Sequence, residues 1–288
     1  MMHVPSAPPN FESGGGPAPL AGRAFFKMTG SGNDFVFFDN RARQHEDLVS
    51  AARIGALCDR RRGIGADGIV LIDTDDEFDF GMRYYNRDGS LAEMCGNAAL
   101  CSARLATHLG VVGPSDFTFR TPSGPVTGRL VGGTPEIDMT AVTESRPEAN
   151  IALAPGERRV GYARVGVPHL VVLVDDLESV DVELRGRLLR HDHTLPDGAN
   201  VNFVGRTADR WAMRTYERGV EAETLACGTG TVATVALLNT WGLARSGLDM
   251  QTRCGIDLYA DISREGRAPV LRGEGRIVAH GTIVDLPA

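Results

Sequence analysis

What this chain lacks narrows its roles first. Its longest uninterrupted apolar stretch, Leu170 to Val174, is far too short for a bilayer span, which takes about 20 residues. The N-terminus has neither the basic start nor the apolar run of a secretory leader. It reads SAPPNFESGGGPAPLAG, and residues 1–21 are expected to form a disordered tail. Aromatic residues make up only 6%, and 30 basic side chains are outweighed by 37 acidic ones, for a net charge of -7. Binding to nucleic acid or an anionic membrane would need a local basic patch. The one run available, Arg60-Arg61-Arg62, is short and has few aromatics around it. No nucleic-acid or membrane partner is expected. Five cysteines with no regular spacing and no C-x-x-C pair do not make a disulfide scaffold. They are expected as free thiols in a soluble, cytoplasmic protein. With 42% hydrophobic residues, the 288-residue chain can still bury a large core, in one large domain or two smaller ones.

What the chain does have is an internal echo. MRYYNR at 82–87 and MRTYER at 213–218 match at four of six positions and lie 131 residues apart (213 minus 82). A Cys-Gly pair follows each, Cys95-Gly96 and Cys227-Gly228, now 132 apart (227 minus 95). After Cys95, the residues Ala98, Cys101, Leu105 and Leu109 fall at helical spacing and the pattern stops at Gly110. After Cys227, Val232, Val235, Ala236 and Asn239 do the same, and the pattern stops at Gly242. Hexapeptide, Cys-Gly pair, helix and helix stop recurring in one order imply a duplication.

Short β-branched or aromatic segments complete the picture: FVFF at 35–38, GIVLI at 68–72, FTFRT at 117–121, LVVLV at 170–174 and VNFV at 201–204. The fold class predicted is α+β: two similar lobes related by pseudo-two-fold symmetry, each a curved, barrel-like mixed β-sheet around a central helix. The lobes are expected to span residues 22–139 and 140–274, with the strand signal within 275–288 returning to the first lobe and the site in the cleft between them.

Each cysteine opens a helix, where unpaired N–H groups and the helix dipole favour an anion. A thiolate is such an anion, and its pKa is expected to fall below the usual value of about 8.5 there. A single buried cysteine is most often a small hydrophobe. Two at equivalent positions of repeated lobes suit another role: removing a proton from one face of a carbon and delivering one to the other. Inversion at an amino-acid α-carbon places charge on the carboxylate, which helix N-termini would stabilise in the transition state.

Three other readings of these residues are weaker. GTGTVA at 228–233 imitates a dinucleotide-binding fingerprint, but no convincing strand precedes it. His191 and His193 could ligate a metal, yet no C-x-x-C pair joins them. A cysteine hydrolase would leave the second, repeat-related cysteine unexplained.

The chain closely resembles the diaminopimelate epimerases in five motifs taken in order: FFKMTGSGNDFV at 25–36, RRGIGADG at 61–68, YNRDGSLAEMCGN at 85–97, GVPH at 166–169 and YERGVEAETLACGTG at 216–230. The resemblance runs from about Phe25 to the C-terminus. It implies a homodimer that acts without pyridoxal phosphate or metal on a small-molecule substrate, interconverting LL- and meso-2,6-diaminopimelate in lysine and peptidoglycan precursor synthesis. By the same resemblance Cys95 and Cys227 are the catalytic pair, and Gly96, Asn97, Gly228 and Thr229 bind the α-carboxylate. Asn33, Asn86, Asn200, Glu217 and Arg218 hold the substrate, particularly its distal end, and His169 and Glu217 tune the thiols. Proline-type racemases of the same superfamily carry a similar cysteine pair, and a non-catalytic relic of the fold would be expected to have lost one of them.

Three positions depart from the family pattern. Val167 stands where many members have Asn, Leu100 where they usually have Arg, and GVEAET is one residue longer than the common form. Arg104, one helical turn after Leu100, is a candidate to compensate for the missing charge.

Overall fold

In a computed structural model that describes residues 20–262 and 268–285, all five β-branched or aromatic segments named above lie in strands. The first half runs β1 (Ala24–Gly30), β2 (Asn33–Asp39), α1 (Ala51–Cys58), β3 (Gly68–Asp73), β4 (Phe80–Asn86), α2 (Gly96–His108), β5 (Phe117–Thr121), β6 (Gly124–Val131) and β7 (Thr134–Asp138). The second runs β8 (Val142–Arg146), β9 (Glu157–Val165), β10 (Val167–Val174), α3 (Val182–Arg190), β11 (Asn200–Thr207), β12 (Arg210–Glu217), β13 (Ala222–Thr224), α4 (Gly228–Thr240), β14 (Gly247–Gln251), β15 (Asp257–Asp261), β16 (Val270–Arg272) and β17 (Arg276–Thr282).

The two halves pair their strands by one rule. In the first, β17, β1 and β2 are successively antiparallel, β3 joins β2 in parallel, β4 is antiparallel to β3, β5 parallel to β4, and β6 and β7 antiparallel again. In the second, β8, β9, β10, β11, β12, β14, β15 and β16 repeat that sequence of senses in order, with β13 added beside β12. One strand crosses between the halves: β17 follows β16 in sequence but pairs with β1, taking the place beside β1 that β8 takes beside β9. β17, in the C-terminal segment, is thus the neighbour of β1. Between the halves, β7 and β16 pair antiparallel, Ile137 opposite Leu271, so the whole sheet is continuous.

Each curved half wraps one helix: α2 packs against β1, β3, β4, β6, β7 and β17, and α4 against β8 to β11 and β14 to β16. This is why both helices are made of small and apolar residues. From Ala98 to Ala103 every residue of α2 is buried, as is every residue of α4 from Gly230 to Leu238. A helix enclosed on all sides needs no polar face. Leu100 is fully buried in this core, so the charge absent at that position has been replaced by packing. Arg104 instead lines a cavity of about 320 Å³ with Thr134 and Glu274.

Of the expected tail, residues 1–19 lie outside the described part. Leu20 already packs against the core and Gly22 N–H donates to Ile283 O at 2.7 Å. No described helix is long and apolar enough to cross a membrane.

Candidate active site

The two cysteines occupy the N-caps of α2 and α4 with nearly the same backbone: φ -139°, ψ 113° at Cys95 and φ -134°, ψ 111° at Cys227. The first intrahelical bonds match too, Ala99 N–H to Cys95 O and Thr231 N–H to Cys227 O, both 2.9 Å. Residues 96–98 and 228–230 are thus left with N–H groups that have no acceptor within their helix, as helix geometry requires. The helices meet at these ends. A Cβ added to Gly96 would lie 3.7 Å from Gly228 Cα, and one added to Gly228 equally far from Gly96 Cα. Leu271 packs over this meeting point, its Cδ2 only 2.7 Å from where a Cβ on Gly228 would lie, so a larger residue there must displace it. Two positive helix ends converge on one point, a ready anion site.

The thiols differ from expectation in their acidity. Burial pushes Cys95 up to about 11, against the N–H groups of Ala98 and Asn97, which favour its thiolate; Glu217 adds to the rise. Burial also pushes Cys227 up to about 12, again with a contribution from Glu217, against the Thr229 hydroxyl and the Gly230 N–H. The helix ends act in the expected direction, but loss of water outweighs them. A charge on Cys95 raises Cys227 further, so ionising one thiol disfavours ionising the other. The pair is arranged to hold one proton more readily than none. Glu217 is itself pushed up by burial.

Around Cys95, polar contacts run in a chain. Asn97 Nδ2 donates to Asn33 Oδ1 at 2.6 Å, and Asn33 Nδ2 donates to Asp67 Oδ2 at 3.1 Å. Arg60 holds Asp67 at 2.7 Å. Asn97 Oδ1 is left buried without a partner among the described residues. Asn86 is half-buried at the end of β4 and bonds Ser90 Oγ at 3.0 Å. Around Cys227, Asn200 Oδ1 accepts from Arg218 N–H at 2.8 Å, and the Arg218 guanidinium reaches Asp197 O at 3.0 Å. Thr229 Oγ1 lies 3.6 Å from Cys227 Sγ. His169 is fully buried; burial, then the Arg218 charge, push it down to about 3, so it is neutral.

Strand register explains why these residues share a face. His169 on β10 is opposite Asn200 on β11, and Asn202, two residues on, is opposite Thr215 on β12. Alternation puts all four, with Glu217, on the face toward α4. Asp67, Asn202 and Thr215 were not singled out in the sequence. The signal for Asp67 was its place in RRGIGADG; for Asn202 and Thr215 it was a polar residue at an inward position of a strand. Val167 begins β10, half-buried and paired with Val165. His191 and His193 are largely exposed, and among the described residues no three His, Cys, Asp or Glu side chains are grouped to hold a metal. All five cysteines are free.

Solved structures share the fold at low sequence identity. A phenazine biosynthesis protein of the PhzF family from Bacillus anthracis superposes with a TM-score of 0.69 at 14% identity, over 91% of this chain and 98% of its own. A hydroxyproline epimerase from Agrobacterium vitis, with trans-4-hydroxy-L-proline bound, gives 0.58 at 18% identity, over 91% and 93%. Sequence relatives are much nearer. The diaminopimelate epimerase of Gemmatimonas aurantiaca is 45% identical over 277 residues, 91% of this chain and all of the relative. That of Aquifex aeolicus is 37% identical over 271 residues, 90% of this chain and 97% of the relative. The sequence profile of the diaminopimelate epimerase family matches residues 25–143 and 161–278, and the chain belongs to that family.

Proposed function

We propose that this chain interconverts LL- and meso-2,6-diaminopimelate, with Cys95 and Cys227 as a thiolate/thiol pair on opposite faces of the α-carbon. The observation that carries the reading is the meeting of two Cys-capped helix starts at Gly96 and Gly228. An α-carboxylate bound by the first-turn N–H groups of Gly96, Asn97, Gly228 and Thr229 would lie between the sulfurs. As one thiolate removes the α-proton, charge moves onto that carboxylate and is met by donors already in place. The opposite thiol then delivers its proton to the other face. The raised pKa values suit this task, because a thiolate whose conjugate acid titrates near 11 is a stronger base toward carbon than the thiolate of a more acidic thiol.

Asn33, Asn86, Asn200, Glu217 and Arg218 are assigned to the substrate, mainly its distal amino-acid end. An arginine beside carboxamides recognises a carboxylate there, and a proline-type substrate has no second zwitterionic end to use it. The reaction as proposed needs neither pyridoxal phosphate nor metal. A homodimer, a cytoplasmic location, a role in lysine and peptidoglycan precursor synthesis, and lobes of 22–139 (joined by 275–288) and 140–274 are part of the same proposal.

The test is stereochemical and isotopic. With LL-diaminopimelate in deuterated water, early product should carry solvent deuterium at the inverted carbon while unreacted substrate keeps its hydrogen. Early product that retains substrate hydrogen would point to a single base, and turnover of proline in place of diaminopimelate would reject the substrate assignment.

A further inference from the structure

The two halves are built alike, but one inner-face device exists in only one of them. Matching the registers, Phe35, Gly68 and Asn86 of the first half correspond to His169, Asn200 and Glu217 of the second, and Val70 and Tyr84 to Asn202 and Thr215. On the first side the face is apolar, with Phe35 packed edge-on against Tyr84 at 5.4 Å. On the second it carries a polar chain that runs from Thr215 through Asn202 to His169. Asn202, fully buried, donates from Nδ2 to Leu170 O at 3.0 Å and accepts at Oδ1 from Thr215 Oγ1 at 3.0 Å.

Those two bonds settle which way the Asn202 amide faces, since a carbonyl oxygen can only accept. Its Nδ2 also lies 3.2 Å from His169 Nδ1. Nδ1 must then be the acceptor, and the ring proton of the neutral imidazole sits on Nε2. Nε2 is buried and has no partner among the described residues. A buried donor left unpaired costs stability, and here Asn202 enforces it. Asn202 also touches the catalytic helix. A Cβ on Gly230, in the first turn of α4, would overlap Asn202 Oδ1 and lie 3.2 Å from Cys227 Sγ.

We propose that Asn202 is a positioning residue that locks His169 in the Nε2–H tautomer, making it a fixed, neutral hydrogen-bond donor for the anion formed in the site and never a proton acceptor. This rests on the epimerase reading for its purpose, but the tautomer itself does not depend on it. The device makes the pair of thiols inequivalent, because the first half offers Phe35 and Val70 at the corresponding positions. The titratable groups sharing this side are Glu217 and Arg218 at the end of β12 and Cys227 at the start of α4.

The experiment is nitrogen-15 NMR of the full-length enzyme labelled at histidine, with His169 assigned by comparison with H169Q, across pH 5 to 8. The wild type should show His169 neutral, with the proton on Nε2 throughout. In N202D the carboxylate accepts from Nδ1, so the proton should move there, His169 should begin to titrate, and kcat/KM should gain a new limb in this pH range. N202V, which copies the first half, should release the tautomer preference and lower kcat about tenfold, the scale of one lost hydrogen bond. A wild-type His169 that is charged or protonated on Nδ1 overturns the proposal, whatever the variants do. So does an N202V enzyme with an unchanged tautomer and unchanged kcat. An enzyme that shows the predicted tautomer but does not epimerise diaminopimelate would refute the functional reading and leave the lock standing.

Discussion

Gly96 and Gly228 lie back to back at the N-terminal ends of α2 and α4, each Cβ position 3.7 Å from the other's Cα. Nothing larger than hydrogen fits between the helix starts without displacing Leu271. The contact holds two sets of unpaired N–H groups on one point.

Replacing Gly228 by Ala should therefore harm catalysis more than folding. The clash is with the mobile end of Leu271, an overpacking cost of about 1–3 kcal/mol. Turnover should drop at least tenfold, because Leu271 must shift against the two helix starts to admit the methyl group. Denaturant titration and steady-state kinetics check this, and L271V, which trims the clashing end, should cost less in G228A than in the wild type. A G228A enzyme with normal kcat/KM would show that the packing of Leu271 on the helix starts is not needed for catalysis.

Either Cys95→Ala or Cys227→Ala should lower epimerisation by about 10²–10⁴-fold, the usual worth of a positioned acid or base. Near-normal activity in either variant would rule out the paired thiols.

The free enzyme should become more active as pH rises. Cys95 and Cys227 titrate at about 11 and about 12, so at pH 7 both are mainly protonated, and the reactive singly ionised pair grows with each step upward. Between pH 7 and 9, kcat/KM should climb nearly tenfold per pH unit. A plateau beginning below pH 7 would mean that a thiol ionises far more easily than burial predicts.

Acid should destabilise the fold through His169 before it protonates the carboxylates. Its folded pKa, about 3, is depressed below the ordinary 6.5, so its contribution is fully present above pH 6.5 and is lost as pH falls toward 3. The loss amounts to about 1.4 kcal/mol per pH unit within that window at most. Buried His45, also depressed, adds with the same sign. Urea midpoints of wild type and H169Q should converge between pH 6.5 and 4; parallel curves would show that His169 does not carry this loss.

The sequence by itself determined the elements whose causes are local. The repeat, the two Cys-capped helices, their Gly110 and Gly242 stops (φ +68° and +71°) and the five strand segments were legible because spacing and composition act over one or two turns of chain. The expectation that both cysteines serve one site came from the duplication, and the meeting of their helices at Gly96 and Gly228 supports it. Only the tertiary structure decided the rest. The pairing of β7 with β16, which joins the halves, involves residues more than 130 positions apart, and three-residue β16 carries no pattern that names its partner. Asn202 and Thr215 became legible only when register set them beside His169. The direction of the thiol shifts went against the sequence reading because a helix end is a local feature and favours the thiolate. Burial by the folded chain is not local, and on these sulfurs it is the larger effect.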